Sequence, residues 1–422
     1  MPVTKRRTLL TLLATTAAAA ALLGNLPAPA DRPADGTPAD ARSASTRSPD
    51  ARRVTAWAPS MTIGGPSFND QTIRMVAHSS VAGTALRIHL SNLRSTTPLT
   101  LGAVSVATQA GQATAVAGSQ RAVTFSHRRS VTIPAGAELV SDPVPMSVEA
   151  QQNILVSLYL PHATSSATWH SDAFDTSYLS RPGDHTADTG DGDYIAATTS
   201  WYYLSGLDVI SPHAGGTVVA FGDSITDGYN TPAGSYNRWP DHLARRLAGS
   251  RPMGVVDAGL GGNRVLTDVP NIWQGISATE RFAHDALAQP GVRDVILMEG
   301  INDIGNNAGP GGAPLTAQDL IDGYRNLIEQ AHAAHVRIIG GTMTPDKGAG
   351  YYSDSAEAIR QAANHWIRTS GAFDGVADFD KALADPNDPA ALAPAFDSGD
   401  HLHPNEAGMR ALANAVDLSL LR

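Results

Sequence analysis

A serine stands at position 224 within Phe221 to Gly228, FGDSITDG, immediately after the apolar run Thr217-Val218-Val219-Ala220. Small residues at a strand-to-helix turn let a serine oxygen project from the sheet, and the first N–H groups of the following helix face any oxyanion formed beside it. A serine in that position is a candidate nucleophile for acyl transfer. The spacing differs from G-x-S-x-G, so the strained elbow of the larger hydrolases is not what this turn encodes. Gly, Asp and Ser are also ordinary turn residues, and the turn alone is equally compatible with a structural role.

Three further segments follow in order. Asp257 to Arg264 reads DAGLGGNR after Val255-Val256, Gly300 to Asp303 reads GIND after Val295 to Met298, and Asp400 to Pro404 reads DHLHP. With the octapeptide around Ser224, these resemble the four sequence blocks of the SGNH, or GDSL, hydrolases. The resemblance implies that Gly262 donates a backbone N–H and Asn302 its side-chain amide to an oxyanion, with the N–H of Ser224 as a third donor. It implies also that Asp400 and His403, three residues apart in D-x-x-H-P, are the acid and the base. Asp223, Asp227, Asn263 and Arg264 fall where this family uses polar residues to brace the site.

Each residue type answers a chemical need. A serine hydroxyl is a weak nucleophile at neutral pH, so a base must take its proton during attack, and histidine with a pKa of about 6.5 suits that task. A carboxylate that reaches the other ring nitrogen fixes the tautomer and stabilises the imidazolium, which a short loop carrying Asp400 and His403 can arrange. Charge on the carbonyl oxygen needs fixed donors, and losing one typically costs on the order of 100- to 1000-fold in turnover. His401 is the rival base and Asp397 the rival acid within the same stretch; His401 precedes an apolar residue and reads as structural. Arg238 reads as a surface charge or a pocket wall, and Thr342 to Tyr352, TMTPDKGAGYY, as a substrate rim or an ordinary loop.

The elements that must position these residues follow from hydrophobic periodicity. Strands are expected at 217–221, 254–257, 292–298, 336–341 and 376–379, and helices at 239–247, 317–334, 355–369 and 406–421. Alternation of this kind implies a parallel sheet between two helical layers. The family resemblance implies a flavodoxin-like three-layer α/β/α fold over 215–422, about 210 residues and ample for a packed core.

The first half is patterned differently. Leu86, Ile88 and Leu90 alternate with Arg87, His89 and Ser91, and Ile154, Val156, Leu158 and Leu160 repeat the period of two. No long helical period interrupts these runs, so 51–210 is expected to be an antiparallel β-sandwich domain. Such an arrangement resembles the secreted two-domain members of the family, with a β-rich N-terminal domain. Trp169, His170, Trp201, Tyr202 and Tyr203 could present faces to sugar rings, but packing in the core or between domains is the favoured reading. The domain could also shape the cleft by lying over the catalytic face. Asp188, Asp191 and Asp193 miss the spacing of a calcium loop and read as a solvated turn.

Lys5-Arg6-Arg7 ahead of an apolar run from Leu9 to Leu23, then Ala28-Pro29-Ala30, describe a signal peptide over residues 1–30. The paired arginines permit a twin-arginine route as well as general secretion. Residues 31–50 have the composition of a disordered linker. The expected location is extracellular. No cysteine is present, which excludes disulfides, a thiol nucleophile and cysteine metal sites. A net charge of −10 argues against a nucleic-acid partner. No other apolar stretch is long enough to anchor the chain in a bilayer. No phosphate loop or dinucleotide fingerprint occurs, and the expected chemistry needs no cofactor and no metal.

The sequence thus predicts a secreted serine ester hydrolase that forms an acyl-enzyme on Ser224. Short-chain esters and acetylated carbohydrates are the leading substrates. The alternatives are an extracellular lipase or phospholipase, and a non-catalytic carbohydrate-binding protein.

Overall fold

In the computed structural model, residues 53–249, 251–270 and 272–422 are described. The signal peptide and linker expected over residues 1–50 lie outside them. Two antiparallel sheets, beside two two-stranded ones, make up most of the first half. The smaller runs in the order Arg53–Trp57, Leu204–Ile210, Leu86–Ser91 and Glu138–Val140. The larger has Gln71–Ser79 and Gln152–Leu160 at its centre, in register over nine pairs from Gln152 and Ser79 to Leu160 and Gln71.

The alternation read from the sequence explains why these sheets face each other. Ile154, Val156 and Leu158 pair with Ala77, Met75 and Ile73, and all six point into one core with Leu86, Ile88 and Leu90 of the smaller sheet. Trp201, Tyr202 and Tyr203 lie in that core at 3% exposure or less, and Trp57 packs edge-on against Trp201 at 4.8 Å. They are packing residues, and the sugar-platform reading of these three is set aside. Trp169 is half-buried, stacks on Tyr202 and donates its Nε1–H to the carbonyl of Ile63. The acidic stretch is a turn in which Asp188 pairs with His185 at 2.7 Å and Asp193 with Arg181 at 3.7 Å.

Strands β1 (Thr217–Gly222), β2 (Gly254–Gly259), β3 (Val292–Met298), β4 (Arg337–Gly341) and β5 (Gly375–Ala377) form a parallel sheet in the order β2-β1-β3-β4-β5. Adjacent residues feed opposite helical layers, which is why the strands read as continuous apolar runs. Val219, Phe221, Val295 and Leu297 pack toward α5 (Ala317–Ala333) and α6 (Asp354–Thr369). Val218, Ala220, Ile296 and Met298 pack toward α2 (Trp239–Ala248) and α8 (Glu406–Ala415).

Most expected boundaries shift by one or two residues, and two of the differences have a clear local cause. The last long helix stops at Ala415 because Val416 turns extended, and Asp417 then caps a separate 3-10 turn, Leu418–Leu420, whose leucines mimic a continuing helical stripe. The strand expected to reach Phe379 stops at Ala377, because the Asp378 carboxylate accepts the N–H of Lys381 and starts the short helix Phe379–Leu383.

The β region is sewn onto the outer edge of the parallel sheet. Thr55 donates its N–H to Thr217 Oγ1 at 3.1 Å, Val255 donates to Ser80 Oγ at 2.9 Å, and Ser60 Oγ donates to the carbonyl of Ala258 at 3.2 Å. Gly254 is what lets the two parts approach, since a Cβ there would lie 2.0 Å from the Thr55 carbonyl oxygen. Gly254→Ala is therefore expected to destabilise the protein by about 1–3 kcal/mol through forced overpacking, read as a lower midpoint in urea.

Candidate active site

The serine turn begins where β1 runs out of space. At Gly222 a Cβ would lie 2.4 Å from the Met298 carbonyl oxygen and 2.3 Å from Thr226 Oγ1. Asp223 follows in extended conformation and its carboxylate accepts the N–H of Ile225 at 2.9 Å, capping the single-turn helix α1 (Ser224–Asp227). Gly228 closes it with φ at +89°, donating to the carbonyl of Ser224. Burial of Asp223 drives its carboxyl up to about 7, against the N–H of Ile225, which favours the ionised form.

Ser224 is half-exposed, and its Oγ lies 2.8 Å from Nε2 of His403. On the other side of that ring, Nδ1 lies 2.7 Å from Asp400 Oδ2. The Asp400 carboxylate also accepts the N–H groups of His403 at 2.8 Å and Leu402 at 3.0 Å, which folds the loop back on itself. Burial pushes Asp400 up, but these N–H groups and the imidazole outweigh it and bring the carboxyl down to about 2. Burial holds the His403 imidazole below its ordinary value, with Asp400 opposing. Tyr229 lies over the imidazole with ring centroids 4.5 Å apart, and Asn230 donates to Asp400 Oδ2 at 3.4 Å.

The rival pair is accounted for. Asp397 Oδ2 lies 2.6 Å from Nδ1 of His401, and Asp397 Oδ1 accepts the N–H of His401. It is thus committed to His401 and not to His403. The His401 ring borders Gly348, and Tyr351 packs on Gly305, so the exposed half of the 342–352 loop spans these two points, while Thr342 to Asp346 are buried.

Gly262 follows β2 with φ at +72°, and the Gln274 side chain lies directly against it. Asn302 sits in the first turn of α4 (Ile301–Gly305), just beyond β3. It is 3% exposed, and its Nδ2 donates to the carbonyl of Asn263 at 2.9 Å. Asn263 in turn donates to the carbonyls of Gln274 at 2.6 Å and Ile276 at 2.8 Å, and Asp303 accepts the N–H groups of Val265 and Leu266. These bonds lock the segment after Gly262 to α4. Burial lifts the Asp303 carboxyl to about 7.

Two contacts of the site, those of Arg281 and of His170 with Asp227, carry no signal in the sequence. Arg281 is fully buried and donates to the carbonyls of Gly222 at 2.8 Å and Ala258 at 3.0 Å, to Asn263 Oδ1 at 2.7 Å and to Ser60 Oγ at 2.9 Å. His170 reaches Asp227 Oδ1 at 3.1 Å from the β region. Arg238, expected as a surface charge or a pocket wall, is buried, donates to the carbonyl of Ala173 and lines a cavity of about 30 Å³ with His170, Asp227 and Asp257. Among the described residues, His185, Asp188 and Asp193 are the group with metal-ligand spacing. They belong to the β-region turn, where their carboxylates are already paired.

Residues 220–411 match the GDSL-like Lipase/Acylhydrolase family. No curated protein matches the chain. Among solved structures, the chain is similar to a carbohydrate acetylesterase from Sinorhizobium meliloti, at 17% identity over 47% of this chain and 95% of that one, with a TM-score of 0.37. It is similar also to an aryl esterase of M. smegmatis, at 16% identity over 47% and 94% with a TM-score of 0.37. A variant of an acetyl-xylooligosaccharide esterase from Geobacillus gives 22% identity over 48% and 92% with a TM-score of 0.36.

The electrostatics of the imidazole can be checked directly. The His403 ring should titrate below about 6.5 by NMR, and Asp400→Asn should move its midpoint lower still, because Asp400 is what opposes the effect of burial.

Proposed function

From the GDSL-family carboxylic ester hydrolase domain at residues 220–411, we propose that Ser224 is the nucleophile, His403 the general base and Asp400 the residue that orients it. The reading rests above all on the unbroken relay from Ser224 Oγ through both nitrogens of His403 to Asp400, at 2.8 and 2.7 Å. Ser224 Oγ attacks the ester carbonyl as its proton passes to Nε2 of His403. The imidazolium, held by Asp400, then protonates the leaving alcohol as the tetrahedral intermediate collapses to an acyl-enzyme. Water attacks that acyl group, giving a proton to His403, and the carboxylic acid leaves as Ser224 recovers its hydrogen. The N–H groups of Ser224 and Gly262 and the free N–H of the Asn302 amide serve the oxyanion. Asp223 supports these groups by capping the serine turn, Asp227 through its contact with His170, and Asn263 by bonding the loop after Gly262 to the Gln274 carbonyl.

The substrate we propose is a short-chain ester, with acetylated carbohydrate foremost. The Gln274 side chain fills the space where a Cβ of residue 262 would stand, close to the proposed oxyanion glycine, which supports a small acyl group. Tyr229, 43% exposed beside His403, offers a ring face of the kind sugars pack on, and Asn230 and Ser398 border it with groups that exchange hydrogen bonds with hydroxyls. We propose also that the protein is exported, on the basic and apolar pattern of its first 30 residues; the mass of the protein recovered outside the cell tests this.

Hydrolysis of p-nitrophenyl esters from acetate to palmitate, run beside acetate release from acetylated xylan, tests the function. Activity should be confined to short chains and be lost in Ser224→Ala, while rates rising with chain length would make the protein a lipase. Asn302→Ala should lower turnover by about 100- to 1000-fold. Asp397→Asn should leave it unchanged, in contrast to Asp400→Asn. The rate should fall in acid as His403 takes up a proton, with the midpoint below about 6.5 because burial depresses its pKa.

A further inference from the structure

The β region meets the serine turn through one buried contact. His170 is 1% exposed and places Nδ1 2.8 Å from the carbonyl oxygen of Ser60 and Nε2 3.1 Å from Asp227 Oδ1. A carbonyl and an ionised carboxylate only accept, so these two contacts favour a charged ring that carries hydrogen on both nitrogens. Burial opposes that charge, yet Asp227 overcomes it and the imidazole is pushed up to about 9, with Asp172 adding to the effect.

Asp227 is the last residue of the turn that Ser224 opens, and its N–H donates to the carbonyl of Asp223 at 2.9 Å. Its backbone also presses on β2, since a Cβ at Gly259 would lie 2.2 Å from the Asp227 nitrogen. Asp227 therefore sits where the serine turn touches the strand leading to Gly262. The same β-region segment continues to Ala173, whose carbonyl takes Arg238, and to Phe174, which accepts the N–H of Gly234 at 2.8 Å and packs edge-on against Tyr229, the residue over His403.

We propose that His170 is a positioning residue of the ester-hydrolysing site, fixing the Ser224 turn through Asp227 from the β region. This rests on the reading of Ser224 as nucleophile. It makes the β region a working part of the site. A turn displaced by about 1 Å takes the serine oxygen out of line with both the base and the oxyanion donors, a misplacement that can cost about 100-fold.

The test measures kcat and KM on p-nitrophenyl acetate, and the rate of Ser224 labelling by a phosphonate, for wild type, His170→Gln, Asp227→Asn and the double variant. His89→Gln is the control, because it breaks a His–Asp pair of 2.6 Å with Asp208 wholly inside the β region. His170→Gln should lower kcat and labelling by about 10- to 100-fold with KM little changed. Asp227→Asn should lose as much, and the double variant no more than either single one. His89→Gln should keep kcat while lowering the melting temperature. A His170→Gln protein with a lowered melting temperature but full kcat would overturn the proposal, as would losses that simply multiply in the double variant. If His170→Gln does not fold, Asp227→Asn, which keeps the shape of the site, decides by the same readouts. A wild-type protein with no Ser224-dependent turnover would instead overturn the nucleophile reading, and this proposal with it.

Discussion

The site depends on one guanidinium withdrawn from water. Arg281 is 1% exposed, and a buried cation left without acceptors would cost several kcal/mol. Its acceptors come from several parts that meet behind the serine turn: the last carbonyl of β1, the Ala258 carbonyl of β2, the side chain of Asn263 after Gly262, and Ser60 of the β region, with Asp285 and Glu299 as its carboxylate partners. The plane of the group also lies over the Phe221 ring, with 3.9 Å to its centroid. Ser60 serves twice, since its hydroxyl takes Arg281 and its carbonyl takes His170. The Ser224 turn, the segment after Gly262 and the β region are thus tied by the same satisfied charge.

Carboxyls near this cation are held away from their ordinary state. Burial drives Asp223 and Asp303 to about 7 and Glu299 well above its usual range. Burial thus weakens the negative charge behind the serine turn, while Asp223 still caps α1 and Asp303 still holds Val265 and Leu266.

The residues closest to the proposed chemistry were legible because each sits at the exit of an apolar strand or in a short local motif. Ser224 follows β1, Gly262 follows β2, Asn302 follows β3, and Asp400 and His403 need only a three-residue loop. The alternating strands of the first half were legible for the same reason, since a period of two survives in sequence. What escaped was long-range. His170 meets Asp227 across 57 residues and Arg281 meets Ser60 across 221, and neither sits in a pattern that distinguishes it from its neighbours. The end of α8 was misjudged because leucines at helical spacing continue past a backbone break set by Val416 and Asp417.

The strand Arg53–Trp57 also sets an order of events for the growing chain. Its partner in the sheet is Leu204–Ile210, and Thr55 bonds to Thr217, 162 residues on. Contacts of such separation form late, because the loop between them must close before any bond rewards it. His403 then arrives 179 residues after Ser224. A chain emerging from its amino end therefore carries Ser224 without His403 for 179 residues of its synthesis, and the histidine joins it only when residue 403 is present to fold. On the roles proposed for Ser224 and His403, hydrolytic competence in this sense waits for the second of the two to be made and folded.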